Sequence, residues 1–288
     1  MPKASTRGRA ALAHPHAVAA TDLALAVLGA FSLERPEWTV GELAEALGVY
    51  RSRVHRAVAT LISRDFLQRD ERGKLRLGLK LFELGQVVAE NMNLLRDAAA
   101  PLKALSEETE ASVWLVQRVG DELLDLLKYE PAVPLLVARR AGARYPITFG
   151  VAGKVYLAHL PEEEVTRLLA AQPLRRYTDR SIVDPDAYRA ELARTRERGY
   201  ALTRDEVYPG VMAVSAPIWD HRGALVAAII VSAPSQQVPP EREAALAAAL
   251  LRTAADISRR LGAGAGRAPS AGPGLVPAQR PWGGQAGA

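Results

Sequence analysis

Apolar positions recur with a helical period through the first hundred residues, and the period shortens to that of strands further on. In TDLALAVLGAFS, Leu23, Val27, Leu28 and Phe31 form one stripe, with Thr21 as the expected N-cap and Asp22 in the first turn. After Pro36, Thr39-Val-Gly-Glu42 has the spacing of a capping box and predicts a short helix through Leu47. Gly48 fits the left-handed position beyond a helix end. GVYRSRVHRAVATL then predicts a third helix to about Arg64, with Val54, Val58 and Leu61 inward and Ala57 permitting close approach. Phe66–Arg69 and Lys74–Leu77 alternate around Asp70-Glu-Arg-Gly73, the pattern of a hairpin. Three short helices and a hairpin describe a winged helix-turn-helix.

LKLFELGQVVAENMNLLR, from Leu79 to Arg96, reads as one amphipathic linker helix, and Pro101 is expected near the start of another that Glu107 and Glu108 help close. Strands are predicted over 112–119, 122–129, 211–219 and 224–233. The last two are joined by Asp220-His-Arg-Gly223, whose glycine suits a turn with a bulge. Helices are expected at 151–160, 161–171, 185–198 and 240–261. This mixture predicts an α+β domain with a largely antiparallel sheet. The division expected is a basic disordered arm over 1–20, a DNA-binding module over 21–78, a linker over 79–96 and a second domain over 97–261. A Gly/Ala/Pro-rich disordered tail completes the chain over 262–288.

Composition sharpens this in three ways. The chain has 288 residues, enough for two cores, and no window of roughly 18 consecutive apolar residues that could cross a membrane. Without cysteine there are no disulfides, thiolate nucleophiles or cysteine-held zinc, and a cytoplasmic location is the simplest expectation. The net charge of +5 resides in the two termini, on Lys3, Arg7, Arg9, Arg267 and Arg280, so the body is neutral. Within that body, Arg51 to Arg76 holds eight basic residues against Asp65, Asp70 and Glu71. The local patch therefore points to nucleic acid more strongly than the overall charge does.

An isolated basic helix is ordinarily just solvated. The capping box, the glycine joint and the basic hairpin favour a recognition helix instead, whose N-terminal residues meet base edges in the major groove. Arg51, Ser52, Arg53 and Arg56 are the candidate readers, since arginine pairs with guanine O6 and N7 and serine bonds to base or phosphate. Arg69, Arg72 and Lys74 in the hairpin are candidates for flanking phosphates or the minor groove, and His55 is expected to be incidental.

Catalytic readings fail. Gly150-Val-Ala-Gly153-Lys154 lacks both the first glycine and the final hydroxyl residue of a phosphate loop, having Thr148 and Val155 there. Lys154 is read as a packing or helix-start residue. The histidines are scattered, without metal-ligand spacing, and surface roles are expected for them. Asp205-Glu206 has no nucleophile beside it, and Ser215 has no nucleophile-elbow context. No catalytic residue, cofactor or metal is expected. The alternatives are an enzyme carrying an accessory DNA module and a purely structural DNA-bridging protein.

From Leu23 to Leu261 the sequence resembles the isocitrate-lyase-regulator (IclR) family of bacterial transcription factors. VGELAEALGVYRSRVHRAVATL and GKLRLGLKLFELG resemble its DNA-binding and wing-to-linker segments. GARYPITFGVAGKVYLAHLP and RGYALTRDEVYPGVMAVSAPIWDHRGALVAAIIVSAP resemble its effector-domain signatures, in order and spacing. The resemblance implies a GAF-like effector domain, a linker that aids dimerisation, a homodimer or dimer of dimers, and a double-stranded DNA operator. It also implies control of metabolic genes by a small molecule. Carried over by position, it implies an effector pocket at Val151, Ala152, Asp205, Glu206, Val211, Ala213, Ile230 and Ser232. Ala213 and Ile230 stand where some relatives have cysteine and serine, and Val151 where a small residue is frequent. These departures imply an organic acid on the apolar or aromatic side rather than a very small hydroxy or keto acid. Tyr50 stands where relatives often have proline at the helix start.

Overall fold

The capping box forms as the spacing predicts. Thr39 Oγ1 accepts from the Glu42 backbone N–H at 3.3 Å, and Glu42 accepts from the Thr39 N–H at 2.7 Å. These bonds satisfy the first orphan donors of helix α2 (Val40–Leu47), which ends on Gly48 at φ 64°. The computed structural model describes residues 18–131 and 139–264. The chain divides into two units, one up to residue 91 and one from residue 92. The arm over 1–17 and the tail from 265 lie outside the described residues.

In the first unit, helix α1 spans Ala19–Gly29 and α3 spans Arg51–Ser63. Thr21 is not the N-cap: the cap position is three residues earlier, at Val18, which offers no side-chain cap. Asp22 still lies in the first turn, where it favours the positive end of the helix dipole. Leu23 and Val27 of α1, Leu43 of α2, and Val54, Val58 and Leu61 of α3 share one core with Leu67 and Leu75. Strands β1 (Leu67–Arg69) and β2 (Leu75–Leu77) form the antiparallel wing. Asp70 shapes its turn by accepting from the backbone N–H groups of Arg72 and Lys74. Trp38 bridges to Leu75, adding a third backbone segment to the wing.

The expected linker helix is two helices. Helix α4 spans Leu79–Asn91, and α5 spans Asn93–Thr109 after an extended Met92 at ψ 96°. Pro101 lies inside α5 rather than near its start. Its missing N–H is tolerated because Leu94, Ala98, Leu102 and Leu105 are buried along one face, and tertiary packing outweighs one lost bond.

The second unit is a six-stranded antiparallel sheet in the order β5-β4-β3-β8-β7-β6. The strands are β3 (Ser112–Val119), β4 (Glu122–Tyr129), β5 (Arg144–Pro146), β6 (Ala201–Arg204), β7 (Val211–Trp219) and β8 (Leu225–Pro234). Four match the sequence expectation. β5 and β6, three and four residues long, do not stand out in the pattern. The β7–β8 turn carries the anticipated bulge, with the register shifting between Ile218 and Trp219.

Alternation along the long strands serves two cores. Ile229, Val231 and Ala233 face α5 and α9 (Pro240–Arg260), whereas Ala228 and Ile230 face α6 (Gly150–Ala158) and its neighbours α7 (Glu162–Ala171) and α8 (Pro185–Arg198). Among the described residues, no helix is long and apolar enough to cross a membrane.

Candidate DNA-reading face and effector cleft

Burial of Val54, Val58 and Leu61 fixes which side of α3 faces out. Arg51, Ser52, Arg53 and Arg56 are all exposed, and none forms an ion pair with a described residue. Three guanidinium groups are thus presented from the first two turns of one helix. Tyr50, at the position preceding α3, is 83% exposed. His55 is exposed as well. In the wing, Arg69 and Arg72 are exposed, but Lys74 is committed to Glu37 at 2.8 Å. Glu37 also takes Arg76, and these two cations hold its carboxyl below the usual range. Lys74 therefore brings less free positive charge to the wing than its sequence position suggests.

In the second unit, the start of α6 meets β6, β7 and β8 at a shallow cleft open to solvent, with a cavity volume of about 40 Å³. Val151, Val211, Ala213, Ile230 and Ser232 line it, five of the eight positions expected. The other three do not. Ala152 is the next residue of α6 and is wholly buried in the core beneath. Asp205 is spent on its own loop at φ 59°, accepting from the Gly210 N–H at 2.8 Å and from Ser235 Oγ at 2.9 Å. Glu206 belongs to an adjoining, more polar cleft, where both its oxygens accept from Lys154 Nζ at 2.7 and 2.8 Å. Burial pushes the Glu206 carboxyl up, and the Lys154 ammonium pulls against it.

The cleft also uses residues the sequence reading missed. Arg139, Phe149, Thr203 and Tyr208 also line it, with Gly150 and Val207 between them. Arg139 is only 7% exposed and grips the buried Asp125 with two bonds, Nε at 3.0 Å and Nη2 at 2.5 Å. Its guanidinium also lies over the Tyr145 ring, 4.7 Å from the centroid. Phe149 stacks on Tyr145 and meets Tyr177 and Tyr208 edge-on. Burial pushes the Asp125 carboxyl up while Arg139 opposes that shift. No periodic signal marks Arg139. Thr203 would have followed from recognising β6, because it pairs with Ala213 and shares its face.

The rejected phosphate-loop motif finds a structural explanation. A Cβ at Gly153 would sit 2.0 Å from the Ile147 carbonyl oxygen, so this glycine serves close packing. Lys154 is 2% exposed and is the buried partner of Glu206. His159 is not the surface residue expected. It packs edge-on to Trp219, 5.1 Å between centroids, with Nδ1 2.8 Å from the Val155 carbonyl. Among the described residues, no three His, Asp or Glu side chains are grouped to hold a metal.

Both halves of this geometry match one family. Residues 20–71 match the IclR helix-turn-helix domain, and residues 86–259 match the C-terminal domain of bacterial IclR transcriptional regulators. The chain belongs to the IclR family. It is 30% identical to the HTH-type transcriptional regulator XynR of Escherichia coli, over 85% of this chain and 98% of that one. To KipR of Bacillus subtilis, another HTH-type regulator, it is 29% identical over 83% of this chain and 95% of the other. An IclR regulator structure from Alicyclobacillus acidocaldarius shares the fold, with a TM-score of 0.78 and 27% identity, covering 86% of this chain and all of that one. The protein is thus a DNA-binding transcriptional regulator with an α+β C-terminal domain of the IclR type, and its family and relatives are regulators rather than enzymes.

Proposed function

We propose that this regulator binds a specific operator through the N-terminal end of α3 and is controlled by an organic acid held in the cleft of its C-terminal domain. The exposed Arg51, Arg53 and Arg56, in no ion pair with a described residue, carry the first part, with Ser52 between them. They supply bidentate donors for guanine edges, and Arg69 and Arg72 supply phosphate contacts. Lys74 contributes less, being paired to Glu37.

Arg139 supports an acid as effector, since it is the cation among the cleft-lining residues and retains donors beyond the two given to Asp125. Phe149 and Tyr208 support an aromatic body. Val151, Val211, Ala213, Ile230 and Ser232 stay in the proposed site. Asp205 and Glu206 act one step removed, shaping the loop beside it.

A homodimer fits the exposed apolar side chains of α4, where Leu79, Phe82 and Val88 are each more than half exposed. Two recognition helices would then meet half-sites one or more turns apart, about 34 Å per turn.

Arg53→Ala and Arg56→Ala test the DNA face. Each lost base contact should weaken binding to the DNA upstream of the protein's own gene by ~1–3 kcal/mol. The melting temperature should stay within a degree or so, because both side chains are exposed. Unchanged operator affinity in both variants refutes the assignment of this face.

A further inference from the structure

We propose that Tyr50 reads thymine, its ring packing against the C5-methyl group of a base beside those met by the arginines of α3; this rests on the DNA-face reading above. The seven other tyrosines of the chain lie in the second unit, and each is packed. Tyr156 and Tyr188 are buried, and Tyr129, Tyr145 and Tyr200 pack against the two cores. Tyr177 and Tyr208 meet the Phe149 ring edge-on. Tyr50 belongs to the first unit and is 83% exposed, more than any other large apolar or aromatic side chain among the described residues. Among those residues its ring stacks on no other and lies under no cation, and its hydroxyl makes no hydrogen bond.

The backbone beneath this ring is fixed on both sides. Gly48 turns the chain at φ 64°, and Val49 packs against the core of the first unit. The Val49 N–H donates to the Ala44 carbonyl at 3.0 Å, and the Tyr50 carbonyl accepts from Arg53 N–H at 2.9 Å and Val54 N–H at 3.3 Å. The ring therefore leaves a rigid joint, at the end of α3 that carries Arg51, Ser52 and Arg53. Helix stability does not call for tyrosine here. Ser, Thr, Asp or Asn at this N-cap would bond to an N–H of the first turn, and the phenol makes no such bond. An aromatic ring held in water at this joint contributes little to the folded chain, so its role lies in what covers it.

The neighbouring side chains indicate the occupant. Arginine reads guanine by hydrogen bonds, and the thymine C5-methyl is the apolar group on the major-groove edge. A flat, uncharged ring matches that methyl, and packing the two together removes both from water. A phenol bonded to a phosphate is the competing arrangement, and it depends on the hydroxyl rather than on the ring.

The test uses the DNA upstream of the protein's own gene, prepared with thymidine and, separately, with deoxyuridine in its place, which removes only the methyl groups. The full-length wild type is expected to bind the thymidine fragment at least about fourfold tighter, the worth of one buried methyl. In Tyr50→Ala that preference should fall to near unity, with a melting temperature within a degree or so of wild type. Tyr50→Phe should keep the preference. No preference in the wild type, a preference that survives Tyr50→Ala, or its loss in Tyr50→Phe overturns the thymine assignment. A melting temperature several degrees lower in Tyr50→Ala overturns it as well, since the ring would then hold the fold. Arg53→Ala and Arg56→Ala on the same fragments separate the two readings. Weaker binding by them with no methyl effect in the wild type leaves the DNA face standing, and unchanged binding overturns the face and Tyr50 with it.

Discussion

Arg139 pairs with the buried Asp125 and also lines the cleft, so under the proposed function one side chain serves both stability and recognition. The pair is buried, and removing one partner strands the other charge. Arg139→Met is therefore expected to lower unfolding free energy by ~3–5 kcal/mol in a urea titration. An Arg139→Met/Asp125→Leu variant should regain most of that stability, because an apolar pair avoids desolvation of both charges. It should still fail to bind acids. Acid binding by this variant equal to wild type would show that Arg139 is purely structural.

His159 gives the pH dependence a sign. Burial holds its imidazole below the ordinary value of 6.5, with the Val155 carbonyl opposing and Arg196 adding to the shift. The unfolded chain then takes up a proton more readily than the folded one as pH falls through that value. Stability contributed by the neutral ring is complete above about 6.5 and lost below it, toward the lower folded pKa. Comparing urea midpoints at about pH 7.5 and 5, His159→Gln should show a smaller acid-side loss than wild type. An identical loss in both would place the pH sensitivity elsewhere.

At the scale of elements, the first unit stands on local signals. Thr39→Ala removes one half of the capping box and should cost ~1 kcal/mol, read as a lower melting temperature of the DNA-binding unit. Leu61→Ala, which empties a position in its core, should cost more, ~2–5 kcal/mol.

Those elements were legible because their determinants are close in sequence: a cap three residues from its partner, a glycine beyond a helix end, an aspartate closing a turn. The errors have equally physical causes. Met92 interrupts what reads as one helix, and nothing in its side chain announces an extended backbone. Pro101 suggests a helix start, but an apolar face running about three turns from Leu94 to Leu105 overrides it. β6 has only four residues, too few for alternation to register, and is held by its pairing to β7. Missing β6 meant missing Thr203.

For the whole molecule, one fold family joins a DNA-binding unit to a cleft that resembles neither a phosphate loop nor a metal site. The family was legible from motif order. Five cleft residues were legible by position, whereas Arg139, Phe149 and Tyr208 come from loops and helix edges whose contacts arise only in three dimensions. Carry-over by position also named Asp205 and Glu206, neighbours on one loop whose carboxylates have different partners, Gly210 and Ser235 for one and Lys154 for the other.

The proposed control by an acid requires that it favour one of two arrangements that differ in affinity for DNA, since a ligand with equal affinity for both shifts nothing. The direct measurement is the affinity of the full-length chain for the DNA upstream of its own gene, with and without a saturating acid that occupies the cleft. A change of about 5–150-fold in either direction, absent from the Arg139→Met/Asp125→Leu variant, is the predicted result. Identical binding curves with the acid shown to be bound would contradict ligand control.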